Sequence, residues 1–230
     1  IIAVSVSAGF RHEIRKGISS IAGDVQLTRP DMNYMEEGSP INASPSYLSM
    51  IEDLPCTEAV VPAVYRAGIV KDGEDIYGVV VKGRPGRMSD SLALAVAIPE
   101  TFAKKAGISV GDRMLTYFVG EKMQVRQFNV AEIYDSGVDP DGKFLIYADI
   151  DDMRRLNGWT ADQASLLEVM LKPDFKTEKG MKESASQIGF IMNAYEQEED
   201  DTLIASSAIS KYPQLFGWLS LIDFNVFFMA

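Results

Sequence analysis

The chain has 230 residues, 47% of them hydrophobic, and carries a formal net charge of −11 with a pI near 4.6. That is enough apolar material to bury the core of one large domain or two small ones, which excludes a disordered tail. The acidity excludes a nucleic-acid partner, because phosphate contact needs clustered Lys and Arg. One cysteine, Cys56, and one histidine, His12, exclude an internal disulfide and a zinc site built from Cys and His.

Residues 1–10, IIAVSVSAGF, are apolar and small before charge arrives at Arg11, His12 and Glu13. Phe10, Ile14, Ile18 and Ile21 then recur at helical spacing with Arg11, Arg15 and Lys16 outside that stripe, predicting an amphipathic helix that ends near Gly23. Residues 25–28 read as a short strand stopped by Pro30, and 31–43 have turn composition. Ser44 followed by Pro45 predicts an N-cap with proline at the first helical position, the helix burying Tyr47, Leu48, Ile51 and Leu54. Residues 59–70 and 76–81 form two strands joined at Lys71-Asp72-Gly73 into a hairpin, with Pro62 marking an edge or a bulge. Gly83-Arg84-Pro85-Gly86 reads as a linker, and Gly83 and Gly86 are candidate hinge points.

Leu92, Leu94, Val96 and Ile98 alternate at period two before Pro99 opens a helix carrying Phe102, Ala103 and Ala106, which Gly107 ends as a left-handed cap. Three strands follow, over 113–119, 124–134 and 144–149, making a small β-rich module. Asp149 or Asp151 caps a short helix presenting Ile150, Met153 and Leu156, closed by Asn157-Gly158. Residues 165–171 read as a strand, 177–188 as a helix ended by Gly189, and 190–195 as a returning strand. The fold class is therefore α+β: strand-helix-strand units at both ends of the chain with a β module between them. The acidic run from Glu196 to Asp201 reads as a solvated loop. A last helix starts near Leu203, broken or restarted at Pro213, and the chain closes on YPQLFGWLSLIDFNVFFMA, which grows more apolar toward residue 230. Neither terminal segment has the roughly 20 apolar residues of a spanning helix. Each reads either as the water-side stub of one or as a helix packed on the core.

Asp149, Asp151 and Asp152 are three carboxylates in four residues at a strand-to-helix junction. Capping and the helix dipole account for them; the functional alternative is a secreted hydrolase using Asp149 or Asp152. Trp159 stands in a polar turn, LNGWTADQA over 156–164, where a large aromatic is either tucked into the core or a contact residue. No nucleophile, base and orienting group come together in the sequence, so catalytic residues, metal and cofactor are each predicted to be none.

The segment IPETFAKKAGISVGDRMLTYFV, residues 98–119, resembles a stretch in the periplasmic core domain of FtsX/MacB-type ABC transporter permeases. FNVAEIYDSGVDPDGKFLIYADIDDMRRLNGW over 128–159 resembles the strand, Asp-rich loop, strand and short helix that follow there. AGFRHEIRKGISSIAGDVQL (8–27) and LFGWLSLIDFNVFFMA (215–230) resemble the exit from the first membrane helix and the approach to the second in lipoprotein-releasing permeases of the LolC/LolE kind. The resemblance implies a periplasmic loop of an inner-membrane protein in a Gram-negative bacterium, with a porter part made from both ends and an inserted, β-rich sabre. On that basis residues 1–23 and 203–230 are stalk helices, 24–83 and 161–202 the porter-like parts, and 84–160 the sabre-like insertion. The implied partners are a cytoplasmic ABC ATPase subunit, a second permease copy or paralogue, and a periplasmic lipoprotein carrier or an adaptor protein. The implied partner-binding loop is Asn157, Gly158, Trp159 and Thr160, in a stretch that lacks the proline of the proteobacterial hook. The implied role is mechanical: movement transmitted from ATP hydrolysis to release lipoproteins, with MacB-like efflux or FtsX-like signalling as the alternatives.

Overall fold

The computed structural model describes residues 23–30, 32, 39–72, 75–86, 89, 91–118, 123–136 and 144–211. The amphipathic helix expected before Gly23 and the apolar stretch after Lys211 lie outside the described residues. Among those described, no helix is long and apolar enough to cross a membrane.

The architecture is mixed α/β and grows from one strand. β1 (Val25–Thr28) and the two-residue β2 (Ile41–Asn42) lead to the short helix α1 (Leu48–Glu52) and then to the long β3 (Thr57–Asp72). β3 turns into β4 (Asp75–Arg84), with Val64 opposite Gly83 and Asp72 opposite Asp75. Next come β5 (Ala95–Pro99), α2 (Glu100–Ala106), β6 (Arg113–Phe118), β7 (Gln124–Tyr134), β8 (Phe144–Asp149) and α3 (Ile150–Asn157). The chain then runs through β9 (Gln163–Ala164), β10 (Leu166–Leu171), a 3-10 turn at Pro173–Phe175, α4 (Glu178–Tyr195), β11 (Ile204–Ser207) and α5 (Ala208–Lys211).

The first half of β3 pairs with β10, giving a sheet in the order β11-β1-β10-β3. The second half pairs with β4, and the order continues through β8, β5, β7 and β6. β6 then returns to β3, Ile69 opposite Tyr117 and Val70 opposite Thr116, which closes six strands into a small barrel. Two cores result. One, under α4 and α1, holds Val25, Leu27, Tyr47, Ile51, Leu167, Val169, Ile188 and Met192. The other, inside the barrel and under α2 and α3, holds Val70, Val81, Phe102, Phe118, Phe128, Ile146 and Met153. Because side chains alternate along a strand, the even-numbered face of β3 serves both: Val60 packs on the first core, Val64 and Val70 belong to the second.

Pro62 explains where the two sheets part. Ser165 N donates to Ala63 O, so odd-numbered residues of β3 aim their backbone groups at β10 and even-numbered ones the other way. Pro62 therefore sits on the edge facing β4, where the register would place Pro85 opposite it. Neither residue has an N–H, and the β3–β4 ladder stops at Val64 and Gly83.

Several elements differ from the sequence-based expectation. Helix α1 starts at Leu48 rather than after Ser44, and its N-cap position, Tyr47, makes no capping bond; Ser46 is instead held by Asp200. The expected strand over 190–195 is the second half of α4. The buried face Met181, Ala185, Ile188, Met192 keeps helical spacing straight through Gly189, whose position lies within reach of Ala205 on β11. The returning strand is β11, not a helix from Leu203, and it is separated from β10 by β1.

The outer face of the sheet carries the junction between the cores. Lys82, on β4, and Tyr65, on β3, are cross-strand partners. The Lys82 ammonium donates to Glu168 Oε2 of β10 at 2.7 Å, Tyr65 donates to Oε1 at 2.6 Å, and the rings of Tyr65 and Tyr147 lie 5.4 and 6.0 Å from the charge. Both ionic side chains are buried, at 3% and 6% exposure. Burial pulls the Lys82 ammonium below its usual range, against the pull of Glu168. An ion pair so dry is costly to break on one side only. Glu168→Ala is expected to lose about 3–5 kcal/mol in urea unfolding, whereas Lys82→Met with Glu168→Leu recovers most of that loss; equal losses in the two proteins would show that the pair does not hold the junction.

Candidate functional site

The loop after α3 is built from the end of that helix. Asp149 caps it, its Oδ1 accepting from Asp151 N at 2.8 Å, and Gly158 closes it in the left-handed region at φ 68°. Trp159 N donates to Arg154 O at 2.9 Å, which turns the chain back. Its ring is half-buried against the barrel core, so Trp159 is neither fully enclosed nor fully displayed. Asn157 Oδ1 accepts from the buried Arg66 at 2.8 Å, and that guanidinium stands 5.5 Å from the Phe118 ring of the barrel core. Thr160 N donates to Gln163 Oε1 at 2.9 Å, and its hydroxyl donates to Asp162, whose carboxyl this bond holds below its usual range.

The four expected contact residues therefore lie side by side where the two cores meet. Beyond them, β9 pairs with β2, Ile41 opposite Ala164, and Ala43 N donates to Asp162 O at 2.7 Å. This small ribbon ties the loop to the segment before α1.

That segment is fixed in turn by two residues from the acidic run. Asp200 accepts from Ser46 N and from Gln197 N, each at 2.9 Å, and from the Ser46 hydroxyl. Asp201 accepts from Asn42 N at 2.7 Å and pairs with Arg29 at 2.5 Å. The run is thus not a merely solvated loop: its last two carboxylates clamp β2 and the start of α1 onto the connection between α4 and β11. Tyr47 lies beside them, and its hydroxyl, without a hydrogen-bond partner among the described residues, is pushed up to about 12 by burial and by Asp200, Glu196 and Asp201. Nothing in the spacing of the run distinguished Asp200 and Asp201 from their exposed neighbours.

The two candidate hinge glycines prove different in kind. Gly83 is buried inside β4, and a Cβ there would come within 2.8 Å of Met153 and 3.0 Å of Ile150. Its role is to let α3 lie on the sheet, and the strand continues through Arg84, so the turn begins two residues later than expected. Gly86 is exposed at φ 104°, a conformation that other residues rarely adopt.

The aspartates of the hydrolase alternative are already engaged. Asp149 caps α3, Asp151 pairs with Arg154 at 3.0 Å and Asp152 pairs with Arg155, one turn along the same helix. They border an open groove of about 620 Å³ that Ser89 and Leu92 also line. His12 lies outside the described residues, and no group of three or more His, Cys, Asp or Glu among those described could hold a metal ion. The arrangement caps and braces a helix; it does not set a base beside a nucleophile.

No protein-family model matches the chain, and a search of curated proteins gives no match either. Among solved structures it is similar to the extracellular domain of the ABC-type transporter YknZ from Gram-positive bacteria, with a TM-score of 0.44 and 12% identity over 80% of this chain and 99% of that one. It is similar as well to the periplasmic region of MacB from Actinobacillus actinomycetemcomitans, with a TM-score of 0.46 and 12% identity over 87% of this chain and 95% of that one. A third likeness is to a domain of a permease protein from Porphyromonas gingivalis, with a TM-score of 0.41 and 15% identity over 79% of this chain and 87% of that one.

The clamp has a definite pH dependence. Burial pushes the Asp200 carboxyl up, but the Ser46 hydroxyl and the amides of Gln197 and Ser46 outweigh it and leave it below the usual range. A carboxylate depressed on folding contributes stability that is complete above its unfolded value and is lost as pH falls through the folded one. Exchange of the Ser46 and Gln197 amides, corrected for intrinsic rate, is expected to accelerate only below the ordinary carboxylate range. In Asp200→Asn that acid step should vanish, with Ser46 exchanging fast already at neutral pH; a step retained in the variant would assign the titration elsewhere.

Proposed function

We propose that this chain is the extracytoplasmic domain of an ABC transporter permease, a loop held between two membrane helices that turns movement in the membrane into movement of its own outer part. One observation carries the reading. Ala208 N donates to Asp24 O at 2.9 Å and Ser207 is the partner of Val25, so the first and last described strands lie side by side, with Asp24 and Ala208 at the same corner of one sheet. A domain spliced into the span between two adjacent membrane helices needs that geometry. The ordered sequence resemblance to FtsX/MacB-type permeases supports the same reading.

In this reading the four-stranded sheet and its helices are the porter-like part and the barrel is the sabre-like part, which moves residues 64–83 from the porter-like part, where the sequence reading put them, into the sabre-like one. Force delivered to β1 and β11 passes through β10 into β3, and so reaches the barrel through covalent chain and the Lys82–Glu168 pair. Gly86, rather than Gly83, is the hinge. A separate cytoplasmic subunit hydrolyses the ATP, the permease works beside a second copy or a paralogue, and the domain stands in the periplasm of a Gram-negative cell. The proposed cargo is lipoprotein, handed to a soluble carrier that contacts Asn157, Gly158, Trp159 and Thr160.

Mass spectrometry of what co-purifies with the full-length permease from detergent-solubilised membranes tests both levels. An ATPase accompanied by lipoproteins and their carrier is the expected result. An adaptor and an outer-membrane channel would replace lipoprotein release with efflux, and the absence of any ATPase would overturn the permease itself. Trp159→Ala is expected to weaken carrier pull-down; because the ring is half-buried, Thr160→Ala serves as the variant that leaves the core intact, and full binding by both would remove the loop from the contact.

A further inference from the structure

The outer face of the barrel is apolar over a stretch where strands facing water are ordinarily polar. Side chains that alternate with the buried Val70, Val79, Met114 and Phe118 point away from the core. Across β4, β3, β6 and β7 they fall into one row, with Gly78 opposite Ile69, Ile69 opposite Tyr117 and Tyr117 opposite Val125. The next row pairs Ile76 with Lys71 and Leu115 with Gln127. Ile69, Leu115 and Val125 are exposed, Ile76 is 68% exposed, and Met123, two residues before Val125, is 71% exposed.

Strands that are apolar on both faces belong to sheets covered on both faces, and a contiguous exposed apolar patch marks an interaction site. At this height each of the four strands already has a ladder partner on either side: β4 lies between β3 and β8, β3 between β4 and β6, β6 between β3 and β7, and β7 between β6 and β5. A partner therefore cannot join by backbone pairing and has to make its contact through side chains. The element that lays an apolar stripe on a sheet face is an amphipathic helix. Gly78 leaves a notch for it between Ile76 and Val80, since a Cβ there would meet nothing within 4 Å.

We propose that this face receives an amphipathic helix of another protein, one whose apolar stripe is flanked by carboxylates. Charge selects that partner. The chain carries a net −11, yet the outward positions of β4, of β6, of residues 65–71 in β3 and of residues 123–129 in β7 include no Asp or Glu among the described residues. Apart from Lys82 and Arg84 beside the junction, the charges there are Lys71 and Arg113, both exposed. A second copy docked by the same face would bring like charges and no carboxylate to the contact. An anionic bilayer calls for a cluster of about four to eight Lys and Arg, which these two do not supply. A carboxylate on either side of a helical stripe answers both cations while the stripe covers Ile69, Ile76, Leu115 and Val125. The docking does not depend on the transporter reading; it concerns a surface that reading leaves unassigned.

Titration of the 230-residue chain with two synthetic amphipathic helices tests it, both carrying a leucine stripe, one flanked by Glu and the other by Lys. The Glu-flanked helix is expected to bind at least about tenfold more tightly than the Lys-flanked one. Lys71→Glu combined with Arg113→Glu should reverse that order. Ile76→Gln combined with Met123→Gln, both at well-exposed positions, should weaken binding by at least about tenfold with an unchanged thermal melt. Phe190→Gln, at an exposed aromatic on α4, should leave binding intact. Equal affinity for the two helices, no binding of either, or binding indifferent to the Ile76→Gln and Met123→Gln pair overturns the proposal. Two further results also overturn it: self-association in sedimentation that this pair of substitutions abolishes gives the face to a second copy, and phosphatidylglycerol-vesicle binding that it abolishes gives the face to lipid.

Discussion

A single strand, β3, carries the burden of joining two cores, and the rest of the architecture follows from how its two halves are paired. Its first half is a member of an open sheet and its second a stave of a closed barrel. One pleated face supplies apolar side chains to both interiors, so the cores cannot shift relative to each other without bending this strand. The other face bears Tyr65, which with Lys82 and Glu168 forms a dry polar knot over the point where the sheets diverge. Such a knot adds little net stability, since desolvating two charges offsets most of what their attraction returns. What it does is fix geometry: β10 is held against β4, two strands that share no ladder.

The loop at the end of α3 is defined by the same junction. Asn157 is bound by an arginine from inside the barrel, Trp159 leans on the barrel core, and Ala164 is buried in the other core. Through β9 and β2 the loop is linked to Ser46, and through Asp200 and Asp201 to the connection entering β11. The residues proposed to meet a partner thus stand at the far end of a hydrogen-bonded chain that begins just after α4.

Much of this was legible in the sequence wherever local chemistry decides the outcome. Pro99 and Gly107 bracket α2, Asp149 and Gly158 bracket α3, and the strand at 25–28 stops before Pro30, because caps and breakers act within a few residues. Gly189 misled because a glycine ends a helix only if the backbone there turns left-handed; here the buried stripe continues to Met192 and tertiary packing overrides propensity. The long-range contacts were of another order. Lys82 among valines and Glu168 among leucines are charges set in apolar strands, a readable sign that each is buried and paired, but their separation hides the match. Asp200 and Asp201 gave no sign at all, since their partners come from loops whose positions only the finished fold defines.

The pairing of β1 has a consequence for how the molecule is made. Its ladder partners among the described residues, β10 and β11, lie at the opposite end of the sequence, with Val25 opposite Val169 and Ser207. The barrel, by contrast, is closed by hairpins and crossovers that all lie between Val64 and Asp149. Loop-closure entropy therefore favours the barrel as the first structure to form, while β1 waits as an unpaired apolar segment until the last part of the chain has emerged. The first core is completed late and all at once, and a chain cut short before β10 would keep a formed barrel attached to a strand with nowhere to go.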